Sequence, residues 1–170
     1  QDHCEKPIDS FLKKSLILPV VSAKEAKELS TVQEMALTHW KLSPVSEERP
    51  DVLQKTESFD MNSWQDIYVN KESGSPTVLE NAKGKYVIYQ QEVQIPKEIN
   101  GHLPELYLYG IWGECEVYIN GEKRAAFSYE WAVPHTIKLE PKDCKRTDIR
   151  ILVKSINDFG AGLNSNVILR

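Results

Sequence analysis

The stretch Glu114-Cys-Glu-Val-Tyr-Ile119 alternates polar and apolar side chains with a period of two and runs straight into Asn120-Gly121. Successive side chains of a strand point to opposite faces, so Cys115, Val117 and Ile119 share one face and Glu114, Glu116 and Tyr118 the other. Asn-Gly readily takes the two positive φ angles of a type I′ turn, whose twist matches that of the strands it joins. A hairpin is therefore specified locally, and a hairpin with one apolar face needs a second layer to cover it.

The same period recurs along the chain. Tyr86 to Ile95 places Val87, Tyr89, Val93 and Ile95 on one face, broken by Gln91, before Pro96 stops the ladder. Between Leu103 and Trp112, Leu106 and Leu108 face opposite to Tyr107 and Tyr109. Ile137 with Leu139, Ile149 with Ile151 and Val153, and Val167 with Leu169 continue the pattern, separated by turn-forming Pro141-Lys-Asp143 and Gly160-Ala-Gly162. Such a series predicts an all-β sandwich over residues 36–170, with the polar Lys71 to Gly84 stretch as its longest loop. Residues 1–35 read differently. Ser22-Ala-Lys-Glu25 has the form of a capping box, and Ala26, Leu29, Val32 and Ala36 follow at helical spacing, predicting one helix from Ala23 to Ala36 in an N-terminal arm.

The 170 residues carry 21 basic and 25 acidic side chains, a net charge of -4 with no block of like sign, which disfavours nucleic acid and anionic membranes as partners. The longest apolar run, Leu16 to Val21, is interrupted by Pro19 and far short of the roughly 20 residues that cross a bilayer, so no membrane span is expected. Gln1 in place of Met reads as a processed or cut start with sequence upstream. Cys4, Cys115 and Cys144 fit no metal-binding spacing and read as ordinary thiols, with one disulfide of undetermined pairing as the alternative.

Sequence motifs for nucleophile elbows, zinc proteases, phosphate-binding loops, dinucleotide folds and EF-hands are absent, and no cofactor or metal is expected. The four histidines, His3, His39, His102 and His135, are scattered and read as surface or structural. Glu114 and Glu116 on one strand face would stand about 6–7 Å apart, near the spacing of a glycosidase acid pair. Alternating charge on an exposed strand face gives the same pattern and is the preferred reading. Trp40 and Trp64 read as core. Tyr129-Glu130-Trp131, just beyond the hairpin, joins a carboxylate that accepts sugar hydroxyls to aromatic faces that cover a pyranose, and Trp112 at a strand end is a weaker candidate.

From Trp40 onward the chain resembles the N-terminal sugar-binding domain, a galactose-binding-like jelly roll, of glycoside hydrolase family 2 and of related carbohydrate-active enzymes. The resemblance rests on Trp40-Lys-Leu, Phe59-Asp-Met-Asn-Ser-Trp64-Gln-Asp-Ile, Tyr86 to Pro96, Leu106 to Gly121 and Asn157 to Leu169. Where that family usually has a glycine soon after Asn-Gly and then a proline-containing loop, this chain has Arg124-Ala-Ala126 and later Pro134, so a differently shaped hairpin is expected. Because the family's catalytic acids lie in a separate domain, the resemblance implies a non-catalytic module that binds carbohydrate. It would belong to a larger secreted, periplasmic or cell-surface hydrolase or esterase. Tyr129, Glu130, Trp131 and Trp112 are its expected ligand contacts. A scaffold domain packing on an adjacent catalytic domain is the alternative, and a stand-alone hydrolase is the third reading.

Overall fold

In the computed structural model, residues 33–69, 79–128 and 133–170 are described. They carry β1 (Met35–Ala36), β2 (His39–Leu42), β3 (Gln65–Tyr68), β4 (Tyr86–Gln94), β5 (Glu105–Leu108), β6 (Ile111–Trp112), β7 (Glu114–Ile119), β8 (Glu122–Phe127), β9 (His135–Lys138), β10 (Arg146–Lys154), β11 (Gly162–Leu163) and β12 (Val167–Leu169). One sheet has the order β1-β12-β5-β9 and another β3-β2-β4-β10-β7-β8, while β6 and β11 form a separate pair. Every pairing between these strands is antiparallel.

The two larger sheets face each other across one apolar cluster. Leu106, Leu108, Ile137, Val167 and Leu169 from the four-stranded sheet meet Trp40, Val87, Tyr89, Val117, Ile119, Ile149, Ile151 and Val153 from the six-stranded one. These are the side chains that the period of two puts on one face of each strand. Trp40 is fully buried and satisfies its indole N–H on the Leu37 carbonyl at 2.8 Å, so it is a core residue, as expected.

The six-stranded sheet is covered on its outer face as well. Val52, Trp64, Ile88, Tyr118 and Leu152 form a second, smaller cluster there, joined by Phe59, Met61 and Tyr86. Two short 3₁₀ turns, Thr56–Ser58 and Met61–Ser63, lie in the segment that supplies this cover. Burial on both faces explains why β4 and β10 hold apolar residues at consecutive positions, Val87-Ile88-Tyr89 and Ile151-Leu152-Val153. Arg150, mostly buried on β10, ties the cover down: it donates to the Val52 carbonyl at 2.8 Å, the Gln54 carbonyl at 2.5 Å and Thr56 Oγ1 at 3.0 Å.

The expected hairpin is present. Asn120 and Gly121 have φ of 49° and 80°, and Ile119 pairs with Glu122. Asp148 donates its backbone N–H to Asn120 Oδ1 at 3.0 Å, which fixes the turn to β10. The departure at Arg124-Ala-Ala126 has a structural counterpart. Tyr118 pairs with Lys123 and Val117 with Ala125, so Arg124 is the extra residue of a β-bulge. Its guanidinium reaches Asp143 in a two-point bond of 2.7 and 3.0 Å.

One expectation changes at a segment end: the helix drawn to Ala36 does not hold at its described positions 33–36, where Met35 and Ala36 are extended and pair with Leu169 and Ile168. Edge pairing to β12, with Leu37 buried in the core, outcompetes weak helical propensity at a helix end. Residues 23–32 of that helix, and the arm before it, lie outside the described residues. In the long loop expected at 71–84, positions 71–78 also lie outside them, while Leu79 and Ala82 are core residues.

Candidate functional site

On the outer face of the six-stranded sheet, beside the apolar cover, a cleft of about 340 Å³ is lined by Arg49, Tyr86, Glu114, Glu116, Ser128 and Lys154, with Leu152 and Ala126 among its apolar walls. The strand register builds it. Tyr86, Lys154 and Glu114 lie side by side on β4, β10 and β7, and Ile88, Leu152, Glu116 and Ala126 form the neighbouring row. Arg49 closes one side from the segment that Arg150 anchors.

The two carboxylates of β7 have different fates. Glu116 accepts from Arg49 Nη2 at 2.5 Å, from Lys123 Nζ, and from Tyr118 Oη at 3.3 Å. Partial burial works against its charge, but the hydrogen bonds from Lys123 and Arg49 outweigh that and hold its carboxyl below the ordinary carboxylate range. A general acid of a glycosidase needs the opposite shift, so Glu116 is a structural anion. Glu114 is exposed, and Lys154 stands directly across from it on β10. No ion pair joins them, and the Lys154 ammonium lies over the Tyr86 ring at 5.6 Å from its centroid.

Of the expected site residues, Tyr129, Glu130 and Trp131 lie outside the described residues. Their flanks are fixed: Phe127 and His135 stack with centroids 3.8 Å apart, and Ser128, the residue before Tyr129, lines the cleft. Trp112 is half-buried on β6 opposite Gly162 of β11 and is not among the residues lining the cleft. Trp64 packs in the outer cluster, as a core residue should. His39 bonds Asp66, His102 bonds the Leu103 carbonyl and His135 stacks on Phe127, so the described histidines do not converge. Among the described residues no group of three or more His, Cys, Asp or Glu could hold a metal, and Cys115 and Cys144 are free thiols.

Sequence reading missed the cleft itself. Arg49 and Lys154 are more than a hundred positions apart, and the bridge of Ser46 to Tyr86 together with the pairing of Tyr86 to Lys154 brings them to one rim. The visible signal was the polar face Glu114, Glu116 on a strand whose other face is apolar.

Solved structures with the same fold include a glycosyl hydrolase family 2 member from Bacteroides cellulosilyticus, with 15% identity, a TM-score of 0.58, and coverage of 82% of this chain and 20% of that one. The β-glucuronidase of Bifidobacterium dentium matches at 14% identity and a TM-score of 0.60 over 82% of this chain and 30% of its own. A calcium-binding mutant of Bacteroides uniformis β-glucuronidase 2 matches at 16% identity and 0.57 over 81% and 18%. This is the fold of a family 2 sandwich domain. No protein-family model and no curated protein matches the sequence. The chain spans about a fifth to three tenths of the length of the family 2 and glucuronidase chains it resembles, and the likeness is one of fold. No helix among the described residues is long and apolar enough to cross a membrane.

Proposed function

We propose that this chain is a non-catalytic sandwich module of a larger carbohydrate-active enzyme and that it binds or positions carbohydrate. The observation that supports this best is the pairing of coverages: most of this chain matches only a small part of each glycoside hydrolase. The locked state of Glu116, which leaves the cleft without an acid pair, agrees with a module that does no chemistry of its own. On sequence grounds Tyr129, Glu130 and Trp131 are its expected ligand contacts, with Trp112 a weaker one. Secretion to the periplasm, cell surface or medium belongs to the same reading.

Calorimetric titration and a glycan array test it. Binding in the micromolar to millimolar range, weakened by Trp131→Ala more than by Trp112→Ala, is expected for a shallow stacking site. Absence of glycan binding at millimolar concentration refutes the carbohydrate role of the isolated chain.

A second reading, a domain that packs on a catalytic neighbour, is favoured by one feature. The outer face of the four-stranded sheet carries Tyr107 and Tyr109 in edge contact at 5.2 Å, and Tyr109 is 51% exposed. Arg170 lies over Tyr107 at 3.9 Å from its centroid, and exposed aromatic side chains such as Tyr109 are typical of surfaces that partners cover. If that reading holds, Tyr109→Lys lowers the melting point of the longer enzyme and leaves that of the isolated chain unchanged.

A further inference from the structure

We infer that the cleft on the outer face of the six-stranded sheet binds a neutral pyranose through two adjacent hydroxyls, one donating to Glu114 and its neighbour accepting from Lys154. This rests on the carbohydrate-binding reading above and gives it a site, a pair of residues and a ligand class.

The polar groups of the cleft divide into those committed to side-chain hydrogen bonds and those that are not, Lys154 among the latter with its ammonium over the Tyr86 ring. Arg49 is held by Glu116 and Tyr118, with bonds of 2.5 and 3.2 Å, and Lys123 is spent on the same carboxylate. Glu114 and Lys154 make no hydrogen bond or ion pair with another side chain among the described residues, although the register sets them directly opposite each other on one face. Opposed residues of an antiparallel pair have Cβ atoms only about 4.5–5.5 Å apart, so an anionic acceptor and a cationic donor stand side by side. Adjacent hydroxyls on a sugar ring offer one donor and one acceptor, and bonds to charged groups are about twice as strong as neutral ones. The Ser128 hydroxyl adds a third polar group on the same rim, and Leu152 and Ala126 give apolar surface for ring C–H groups.

Charge selects the class. A carboxylate-bearing ligand would meet Glu114 and a cationic one Lys154; with Arg49 neutralised by Glu116, the opposed Glu114 and Lys154 carry no net charge that favours either ion over a neutral ring. The volume, about 340 Å³, lies at the small end of ligand sites, which span roughly 300–1,000 Å³, and suits one or two sugar rings.

The test titrates the whole chain with lactose and cellobiose as neutral probes and glucuronate as the anionic one. Affinity is read by calorimetry, and the site by amide chemical shifts of the unmutated protein. Expected are millimolar binding of a neutral disaccharide, shifts centred on Glu114, Ser128 and Lys154, and a loss of about tenfold or more in affinity in Glu114→Gln and in Lys154→Met. Neutral-sugar binding that both variants retain, with shifts elsewhere, overturns the inference and leaves the carbohydrate module standing. Preference for glucuronate, strengthened by Glu114→Gln, overturns the neutral class. No binding of any probe at about 50 mM overturns both. The shift map decides the matter even if a variant fails to fold.

Discussion

Removing Asp143 should unfold this sandwich more readily than any change to its surface ion pairs. Its carboxylate, 2% exposed, accepts two bonds from Arg124, whose side chain is 9% exposed, and a third from the Glu140 backbone N–H at 2.8 Å. In Asp143→Ala the guanidinium keeps its charge and loses its two-point partner, while the Pro141–Asp143 turn loses its capping bond. Arg124 keeps Glu122 at 3.2 Å and Glu140 at 3.7 Å, so the loss is that of charge-assisted hydrogen bonds, about 1.5–3 kcal/mol, which for a domain of this size lowers the melting point by roughly 3–12 °C. Arg146→Ala is the control, because its pair with Glu92 is exposed, at 74% and 44%, and such pairs contribute about 0–1 kcal/mol. Urea unfolding at constant m-value gives both numbers. The double variant Arg124→Met/Asp143→Leu should recover much of the loss, since apolar replacement of a whole buried pair is often neutral. If Asp143→Ala costs no more than Arg146→Ala, the bulge does not place Arg124 in a desolvated pair and the reasoning fails.

Three further outcomes are expected. Gly113→Ala, at φ 103° with the new Cβ 2.4 Å from the Lys154 carbonyl oxygen, should cost more than the roughly 1–2 kcal/mol of left-handed strain expected for Gly121→Ala, which meets nothing within 4 Å; equal losses in urea unfolding would contradict the close approach. Glu116, whose folded carboxyl titrates below its unfolded value of about 4.3, contributes stability that is present above that pH and lost as the pH falls through the depressed folded value, so Glu116→Gln should show a smaller drop in stability between about pH 5 and pH 2 than the parent. Burial raises the thiol pKa of both Cys115 and Cys144, with the Asp143 charge adding to the rise at Cys144 and Cys115 fully enclosed; peptide mapping after alkylation should find Cys144 labelled slowly in the folded protein and Cys115 only after denaturation.

Much of the architecture was legible because strand pairing leaves a local trace. The β7–β8 hairpin follows from Asn120-Gly121 and a period of two, and both operate within a dozen residues. The inward side of β4, β5, β10 and β12 was legible for the same reason, as was the core role of Trp40. What failed was reading the arm's end: Met35 and Ala36 suit a helix locally, and only the edge of β12, more than a hundred residues away, makes them extended. The outer cluster was equally hidden, since nothing in Val52, Phe59 or Trp64 says which sheet face they cover.

The candidate site divides along the same line. The sequence alone determined that Glu114 and Glu116 share a polar strand face. It could not tell the two glutamates apart. Tertiary structure decided that Glu116 is a structural anion held by Arg49 and Lys123 while Glu114 faces Lys154 across β10. The reason is physical: alternation is set by the local backbone, whereas the charge state and availability of a side chain are set by partners that the topology brings from distant strands.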